Sequence, residues 1–315
     1  MFSIKQPKEI VFGKNSAHMY KYPENSLIIT SPGAKKRNWI EYLQLKNYCI
    51  FDKVEPNPSI DITTDIINEF RSTNFSNVIG IGGGSCLDVA KFVASKLDKK
   101  KILIPTTFGS GSDVTRISVL SVNGKKKSFH DDKLFADVSI IDSNFLLNTP
   151  DQIKKNSAID ACAQCSEAFD SKSGNEYTKF ICKMAFENLE SGIINNNDEQ
   201  LVFGSMLSGL GFGNSSTTLG HALSYVFSNE GIAHGHALAY TTTAAHKFNN
   251  SQFYERFLKI VKKLNFLNIQ LEQNLEEAAL IILEDRKHLD NNPKPITKND
   301  IVELLMTINF HNTLI

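Results

Sequence analysis

The sequence is poor in the features that mark secreted, membrane and nucleic-acid-binding proteins. Only five of its 315 residues are cysteines, and apart from Cys162 and Cys165 they are scattered, which fits a reducing compartment better than a disulfide framework. The formal net charge is zero, so nothing attracts the chain to nucleic acid or anionic lipid. No apolar run approaches membrane-spanning length, and the N-terminus lacks the apolar core of a signal peptide. We therefore expect a cytoplasmic protein that binds neither nucleic acid nor membrane.

The pattern of apolar residues changes near Pro150. Before it, short apolar runs at 26–30, 78–82 and 102–104 alternate with helical patterns, as in a parallel sheet with helical crossovers. After it, only helical periodicity is found. We predict an α/β domain at 1–150 and an all-α domain at 151–315, a length that suits two domains.

One glycine-rich stretch stands out in the first half. Gly82-Gly-Gly-Ser85 follows an apolar run and precedes a helical pattern that includes Ala90 and Val93, which predicts a strand, a tight turn and a helix N-terminus. Glycines and the free N–H groups of a helix start suit a phosphate. The motif is not G-x-G-x-x-G, so a simple turn in an α/β sheet is the alternative.

Two more polar loops follow predicted strands, at 31–37 and 105–112. Ligands of parallel sheets bind at the carboxyl ends of the strands, so three converging loops favour a nucleotide site. Asn123-Gly124 predicts a hairpin. The lysines at 125–127 after it predict a solvated edge strand, from which one lysine can reach a phosphate.

The helical half contains a candidate metal site. Asp160, His221 and His234 could provide three ligands and leave an open position, as catalytic metal sites do. The alternative is a pair of hydrogen-bonded core histidines. Cys162 and Cys165 form a C-x-x-C pattern, but redox motifs of this kind open a helix after a strand. We interpret these cysteines as small helix residues, with redox or metal binding as the minor alternative.

These motifs resemble those of the iron-containing (group III, metal-dependent) alcohol dehydrogenases, collinearly over nearly the whole chain. The matching stretches are 82–91, 105–115 and 160–167, together with His221 and His234. The resemblance implies a Rossmann-like N-terminal domain and a helical metal-binding domain. Short stretches look most like the phosphonoacetaldehyde reductase (hydroxyethylphosphonate dehydrogenase) branch, namely 217–225, 234–238 and 291–297.

The resemblance also implies roles for individual residues. His236 is the candidate proton donor nearest in sequence, with water as the alternative. The metal, Fe²⁺ or Zn²⁺, would be held by Asp160, Gln164, His221 and His234. The cofactor, NADPH or NADH, would be bound by Ser31, Gly83, Gly84, Ser85, Asp88, Thr106, Thr107, Ser112, Thr115 and Lys127, with Lys126 as the alternative lysine.

The chain departs from the family pattern at several points. Gln164 stands where the family has a metal-binding histidine, and an amide oxygen is a poorer ligand than imidazole. Tyr225 replaces a further histidine. Ser31 replaces an acidic residue of NAD-preferring members, and basic residues follow at 35–37, which favours NADP as well. The chain is also shorter than typical members, so a homodimer in which a partner subunit helps to enclose the substrate is one alternative.

The expected reaction is reversible hydride transfer between a nicotinamide cofactor and a small aldehyde or primary alcohol, with phosphonoacetaldehyde as the first candidate. Gln164 and the shortened C-terminal part motivate one alternative, a non-catalytic nucleotide-binding relative that has lost its metal. A lyase like the related dehydroquinate synthases is the other.

Overall fold

The computed structural model describes residues 1–310. The chain forms two compact units. One is Ile4–Thr149, and the other comprises Met1–Ser3 and the chain from Pro150 onward.

The first unit is built on a six-stranded parallel sheet with the order β1-β8-β5-β4-β2-β3 and a separate β6-β7 hairpin. The strands are β1 (Glu9–Phe12), β2 (Ser26–Ile29), β3 (Tyr48–Phe51), β4 (Asn77–Gly82), β5 (Lys100–Pro105), β6 (Ile117–Val122), β7 (Lys125–His130) and β8 (Val138–Ile141). The helices are α1 (Ser16–Met19), α2 (Gly33–Lys36), α3 (Trp39–Tyr42), α4 (Ile60–Phe70) and α5 (Gly84–Lys96), with 3-10 turns at Asp132–Leu134 and Ser143–Leu146.

Strands β2 and β4 are apolar after their first residue because both faces of the sheet are covered. Every residue of β2 and β4 is buried. Helix α5 packs closely on β4, and a Cβ on Gly80 would lie 2.6 Å from the Cβ of Ala90. The glycine before the turn therefore permits the close approach of helix and sheet.

The hairpin turn has the conformation that its sequence predicts. Asn123 and Gly124 have φ values of 52° and 76°, as a type I′ turn requires at both central positions. The lysine-rich strand β7 is largely exposed, which confirms the predicted solvated edge.

The second unit is helical throughout its described part. Its long helix α6 buries every residue from Ala158 to Ala168 except Asp160, which is half-buried. Thr297 and Asp300 exchange side-chain-to-backbone hydrogen bonds of 3.2 and 2.7 Å, which form a reciprocal cap at the start of the last helix. The helices are α6 (Asp151–Asp170), α7 (Glu176–Asn195), α8 (Asp198–Phe212), α9 (Leu219–Asn229), α10 (His234–Asn249), α11 (Tyr254–Leu264), α12 (Leu275–Leu283), α13 (Arg286–Asn291) and α14 (Lys298–Phe310).

These elements confirm the predicted fold class, an α/β Rossmann-like domain followed by an all-α domain. Strand β1 is short and half exposed, and no pattern in the sequence predicted it. Helix α6 begins at Asp151, eight residues before its apolar periodicity starts at Ile159. Within residues 1–310, no helix is both long and apolar enough to cross a membrane.

His246 in α10 makes the stability of this unit sensitive to acid. Its Nε2 lies 2.8 Å from Ser166 Oγ, and its Nδ1 lies 3.9 Å from Asp170 Oδ2. Burial lowers the pKa of His246 from 6.5 to about 4, against the opposing charge of Glu167. Because the folded pKa lies below the unfolded one, this stabilisation is complete above pH 6.5 and is lost as the pH falls toward 4.

We expect acidification across that window to cost about 3 kcal/mol of unfolding free energy through His246. Burial raises the pKa of Asp170 to about 6, which acts in the opposite direction. Urea unfolding of wild type and His246→Asn between pH 7 and 4 separates the two contributions. The free energy of unfolding should fall less between pH 7 and 4 in His246→Asn than in wild type. An equal fall in both proteins would show that His246 does not cause the acid sensitivity.

Candidate metal centre and nucleotide-binding loops

Three helices bring the predicted metal ligands together. Asp160 lies in α6, His221 in α9, and His234 is the first residue of α10. One ligand atom from each lies within 4.8 Å of the others. Asp160 Oδ1 is 3.8 Å from His221 Nε2 and 4.0 Å from His234 Nε2. Ligand atoms of one tetrahedral ion with bonds of about 2.1 Å lie about 3–4 Å apart, so the cluster fits a divalent cation.

Glu167 orients His221. Its carboxylate accepts a hydrogen bond from His221 Nδ1, and also from the Thr218 hydroxyl at 3.0 Å and the Gly220 N–H. A histidine held in this way by a carboxylate presents Nε2 to a metal. Burial alone would lower the pKa of His221, but Glu167 and Asp160 outweigh burial and raise it to about 9. A metal ion must therefore displace a proton from this imidazole.

Gln164 contacts the cluster through its amide nitrogen. Its Nε2 donates to Asp160 Oδ1 at 2.9 Å. Its Oε1 lies 3.5 Å from Ser208 Oγ, whose shorter hydrogen bond, at 2.8 Å, goes to the Ala161 carbonyl. In this arrangement Gln164 restrains the Asp160 carboxylate, and its role as a fourth metal ligand stays a prediction.

His236 lies outside the cluster. Residues two positions apart on a helix face different directions, so His234 and His236 diverge. The His236 ring stacks on Phe266 with a 5.1 Å distance between ring centres, and its Nε2 hydrogen-bonds the carbonyl of Leu267. The structure gives no support to His236 as proton donor.

The structure adds a histidine that the sequence did not indicate. The ring of His288 in α13 lies 6.3 Å from that of His221 and 5.9 Å from that of Tyr225, centre to centre. Its Nδ1 is 2.6 Å from Asp285 Oδ2. The only signal in the sequence was an Asp and a His three residues apart, a pattern that many helix starts share.

In the first unit, the three polar loops emerge at one edge of the sheet. Strands β2, β4 and β5 are parallel neighbours, so their carboxyl ends lie side by side. The chain order reverses between β2 and β4, which is where open α/β sheets bind ligands. Ser31 lies in the loop that follows β2, at this edge of the sheet.

The glycine loop leaves the start of α5 open. Gly83 is the N-cap and has no side chain with which to cap the helix. A Cβ on Gly84 would lie 2.8 Å from Ser110 Oγ, and one on Gly83 would lie 3.1 Å from Thr107 Oγ1. The second loop therefore packs against the backbone of the first, and the N–H groups that begin α5, including that of Ser85, suit a phosphate.

Thr106 supports a polar ligand at this edge. Its side chain is 2 % exposed, yet its Oγ1 has no hydrogen-bond partner in the described part of the chain. Buried hydroxyls are normally paired. A cofactor group with a hydrogen-bonding atom would supply the partner.

Two of the predicted cofactor residues, Asp88 and Ser112, are hydrogen-bonded to each other in this structure. Asp88 accepts from Ser112 Oγ at 2.6 Å and from the Val119 N–H at 3.1 Å, and it pairs with the fully buried Lys91 at 3.3 Å. Lys91 in turn donates to the Ser112 carbonyl at 2.8 Å. The hydrogen bond from the Ser112 hydroxyl to the Asp88 carboxylate therefore anchors the second loop to α5. Thr115 is buried as well.

Lys127 is exposed on β7, with its Nζ 5.5 Å from the centre of the Phe129 ring. Cys162 and Cys165 are buried in the middle of α6, burial raises the pKa of both thiols, and all five cysteines are unpaired. The minor redox interpretation of the C-x-x-C pattern has no support.

Sequence profiles identify both units. Residues 7–143 match the profile described as iron-containing alcohol dehydrogenase, and residues 154–279 match the C-terminal profile of the Fe-containing alcohol dehydrogenase family. The two matches together span most of the chain.

Individual relatives agree with the profiles. The long-chain-alcohol dehydrogenase 1 of Geobacillus thermodenitrificans is 32% identical over 68% of this chain and 63% of its own length. The 4-hydroxybutyrate dehydrogenase of Clostridium kluyveri is 26% identical over 78% and 82%.

Among solved structures, the sulfoacetaldehyde reductase of Bifidobacterium kashiwanohense in complex with NAD⁺ aligns with a TM-score of 0.88 at 22% identity, over 99% of this chain and 100% of that one. An iron-containing alcohol dehydrogenase from Thermococcus thioreducens aligns with the same TM-score at 19% identity, over 99% and 100%. The chain is therefore an oxidoreductase of the iron-containing alcohol dehydrogenase family, whose members use NAD(P)H and iron.

Proposed function

We propose that this protein interconverts small aldehydes and primary alcohols with NAD(P)H and a divalent metal, Fe²⁺ or Zn²⁺. The observation that supports the proposal most strongly is the three-residue cluster of Asp160, His221 and His234, with His221 oriented by Glu167. Three ligands with an open position are typical of catalytic metal sites, not of structural ones.

Each unit supplies a distinct part of this activity. The metal supplies Lewis-acid chemistry at the substrate oxygen, and the nicotinamide supplies the hydride. Asp160, His221 and His234 would hold the metal, while Gln164 restrains the Asp160 carboxylate through its 2.9 Å hydrogen bond. Gly83, Gly84 and Ser85 would bind the cofactor pyrophosphate through backbone N–H groups, and Thr106 would pair with a cofactor polar atom through its free hydroxyl.

The coenzyme preference follows from the loop after β2. Ser31 offers no carboxylate to repel a 2′-phosphate, and Lys36 and Arg37 lie nearby. Lys35 is paired with Asp52 at 3.3 Å, which leaves the other two cations as the phosphate candidates. We infer that NADPH is accepted at least as well as NADH. The kcat/KM values for the two coenzymes, measured with one aldehyde, test this inference.

Two substrate classes compete. Three carboxylates, of Asp160, Glu167 and Asp285, belong to the metal cluster and to the hydrogen-bond partners of His221 and His288. Together they carry one negative charge more than a divalent ion neutralises, which favours an uncharged aldehyde over a phosphonate dianion because like charges repel. The resemblance of 217–225 to the phosphonoacetaldehyde reductase branch, together with matches to enzymes named as reductases of the anionic sulfoacetaldehyde, supports phosphonoacetaldehyde as the second candidate.

The test is NAD(P)H oxidation by metal-loaded protein with butanal and with phosphonoacetaldehyde, at equal concentrations. Turnover with butanal supports the first class, and turnover with phosphonoacetaldehyde alone supports the second. No turnover with any aldehyde, in protein that binds metal and NADPH, would overturn the proposal in favour of the non-catalytic or lyase alternatives.

Thr106→Val tests the cofactor edge of the sheet. We expect the Kd for NADPH to rise about tenfold, or about 1.4 kcal/mol, because the variant removes the hydroxyl that the cofactor would satisfy. The free energy of unfolding should not fall, since the wild-type hydroxyl has no partner to lose. Fluorescence titration and urea unfolding measure the two quantities.

Thr63→Val is the matched control. The Thr63 hydroxyl donates to the Ile60 carbonyl at 2.6 Å within α4, so its loss should leave the Kd for NADPH unchanged. An unchanged Kd in Thr106→Val as well would show that the Thr106 hydroxyl does not contact the cofactor.

A further inference from the structure

The Asp285–His288 pair has features that helix capping alone does not explain. Asp285 is the N-cap of α13, and one carboxylate oxygen accepts from the His288 N–H at 3.4 Å. The other oxygen bonds the His288 ring at Nδ1, at 2.6 Å. A cap needs only the first bond. The second fixes the orientation of an imidazole ring.

That bond also selects the tautomer of His288. A carboxylate oxygen can only accept, so Nδ1 carries the proton and Nε2 is left with a lone pair. Nε2 has no hydrogen-bond partner among the described residues, whereas the Nε2 atoms of His236 and His246 are both bonded. A nearly buried imidazole with one nitrogen fixed and the other available is the arrangement of a general base oriented by a carboxylate.

The location of the pair connects it to the proposed metal site. The His288 and His221 rings are nearly parallel, at 20°, with centres 6.3 Å apart. The centre of the Tyr225 ring lies 5.9 Å from that of His288 and 6.3 Å from that of His234. The His288 ring therefore neighbours the ring of a proposed metal ligand, His221, without belonging to the described three-residue group.

We propose that His288, oriented by Asp285, contacts the reacting oxygen of the substrate and transfers its proton, the role for which the sequence offered His236. The proposal rests on the alcohol dehydrogenase activity proposed above. In the oxidising direction, the alcohol O–H bond breaks and its proton goes to His288 Nε2. The electron pair of that bond forms the carbonyl C=O. At the same time the hydrogen on carbon is transferred as a hydride to the oxidised nicotinamide cofactor. Asp285 balances the imidazolium charge, and water accepts the proton afterwards.

His288→Gln tests the role of the imidazole. General acid–base groups contribute about 10²–10⁴-fold, so kcat for 1-propanol oxidation should fall by at least about a hundredfold, with metal content unchanged. A kcat within threefold of wild type would overturn the proposal. Loss of metal in the variant would also overturn it, because His288 would then be a ligand.

Asp285→Asn tests the orientation of the ring without removing the helix cap, because asparagine caps helices as well as aspartate does. We expect kcat to fall at least about tenfold while the melting temperature and metal content stay unchanged. Asp131→Asn is the control, since Asp131 caps a turn by accepting from the Lys133 N–H at 2.9 Å and should be kinetically silent. Equal kcat values for the two variants would reduce Asp285 to a cap and overturn its positioning role.

Ring ¹⁵N NMR of the zinc-loaded protein reads the tautomer without turnover. The proposal requires a protonated Nδ1 and a bare Nε2 on His288 in the wild type, and a loss of that preference in Asp285→Asn. The opposite tautomer in the wild type overturns the proposal even if the enzyme is inactive toward every substrate tried. An inactive wild type with the required tautomer would instead contradict the proposed function.

Discussion

His234→Ala should lose its bound metal and at least about three orders of magnitude in kcat, equivalent to about 4 kcal/mol of activation free energy. His234 is one of only three groups whose ligand atoms converge in the described chain, and it is the most exposed of them at 34%. Its removal leaves Asp160 and His221, too few protein ligands for a catalytic site. Elemental analysis and steady-state kinetics on the same preparation measure the two effects.

His236→Ala is the matched control, two residues further along the same helix. Its ring bonds the Leu267 carbonyl and stacks on Phe266, so this variant should keep its metal and stay within about threefold of wild-type kcat. The account would be contradicted if His234→Ala retained a full complement of metal, or if His236→Ala lost it.

Gly235→Ala should destabilise the helical unit by about 3 kcal/mol or more. A Cβ at this position would lie 2.1 Å from the carbonyl oxygen of Asn156 and 2.8 Å from its Cα. Both are backbone atoms of α6, so α10 and α6 would have to separate. Asp160 and the adjacent His234 lie on those two helices, and the variant should therefore bind metal more weakly as well. Urea unfolding and metal titration measure the two consequences.

Gly33→Ala distinguishes a backbone clash from a general effect of replacing glycine. A Cβ on Gly33 would meet only the Arg37 guanidinium, at 2.1 Å, and that side chain is long and able to move. We expect a change below about 1 kcal/mol in this control. Similar losses of stability in the two variants would show that the contact between α10 and α6 is not the cause.

Patterns local in sequence predicted much of the fold. The apolar runs at 26–30, 78–82 and 102–104 became β2, β4 and β5 because strands buried on both faces must be apolar along their length. The turn at Asn123-Gly124 formed because those residues tolerate positive φ. Strand β1 escaped prediction because it is half exposed and depends on pairing with β8, its neighbour in space.

The candidate site was predictable in residue type but not in detail. Asp160, His221 and His234 converge as the family resemblance implied. The sequence could not show that the amide nitrogen of Gln164 donates to Asp160. Nor could it show that Asp88 accepts a hydrogen bond from Ser112 and pairs with Lys91. Both arrangements depend on packing between helices, strands and loops. His288 was missed for the same reason: its neighbours His221 and Tyr225 are more than sixty residues away.

The proposed activity depends on one divalent metal ion held by Asp160, His221 and His234. Anomalous diffraction from crystals of the chain saturated with Fe²⁺ or Zn²⁺ locates such an ion directly. We expect a single strong peak within about 2.0–2.2 Å of Asp160 Oδ1 and of the Nε2 atoms of both histidines. A peak elsewhere, or none at these three atoms in metal-saturated crystals, would contradict it.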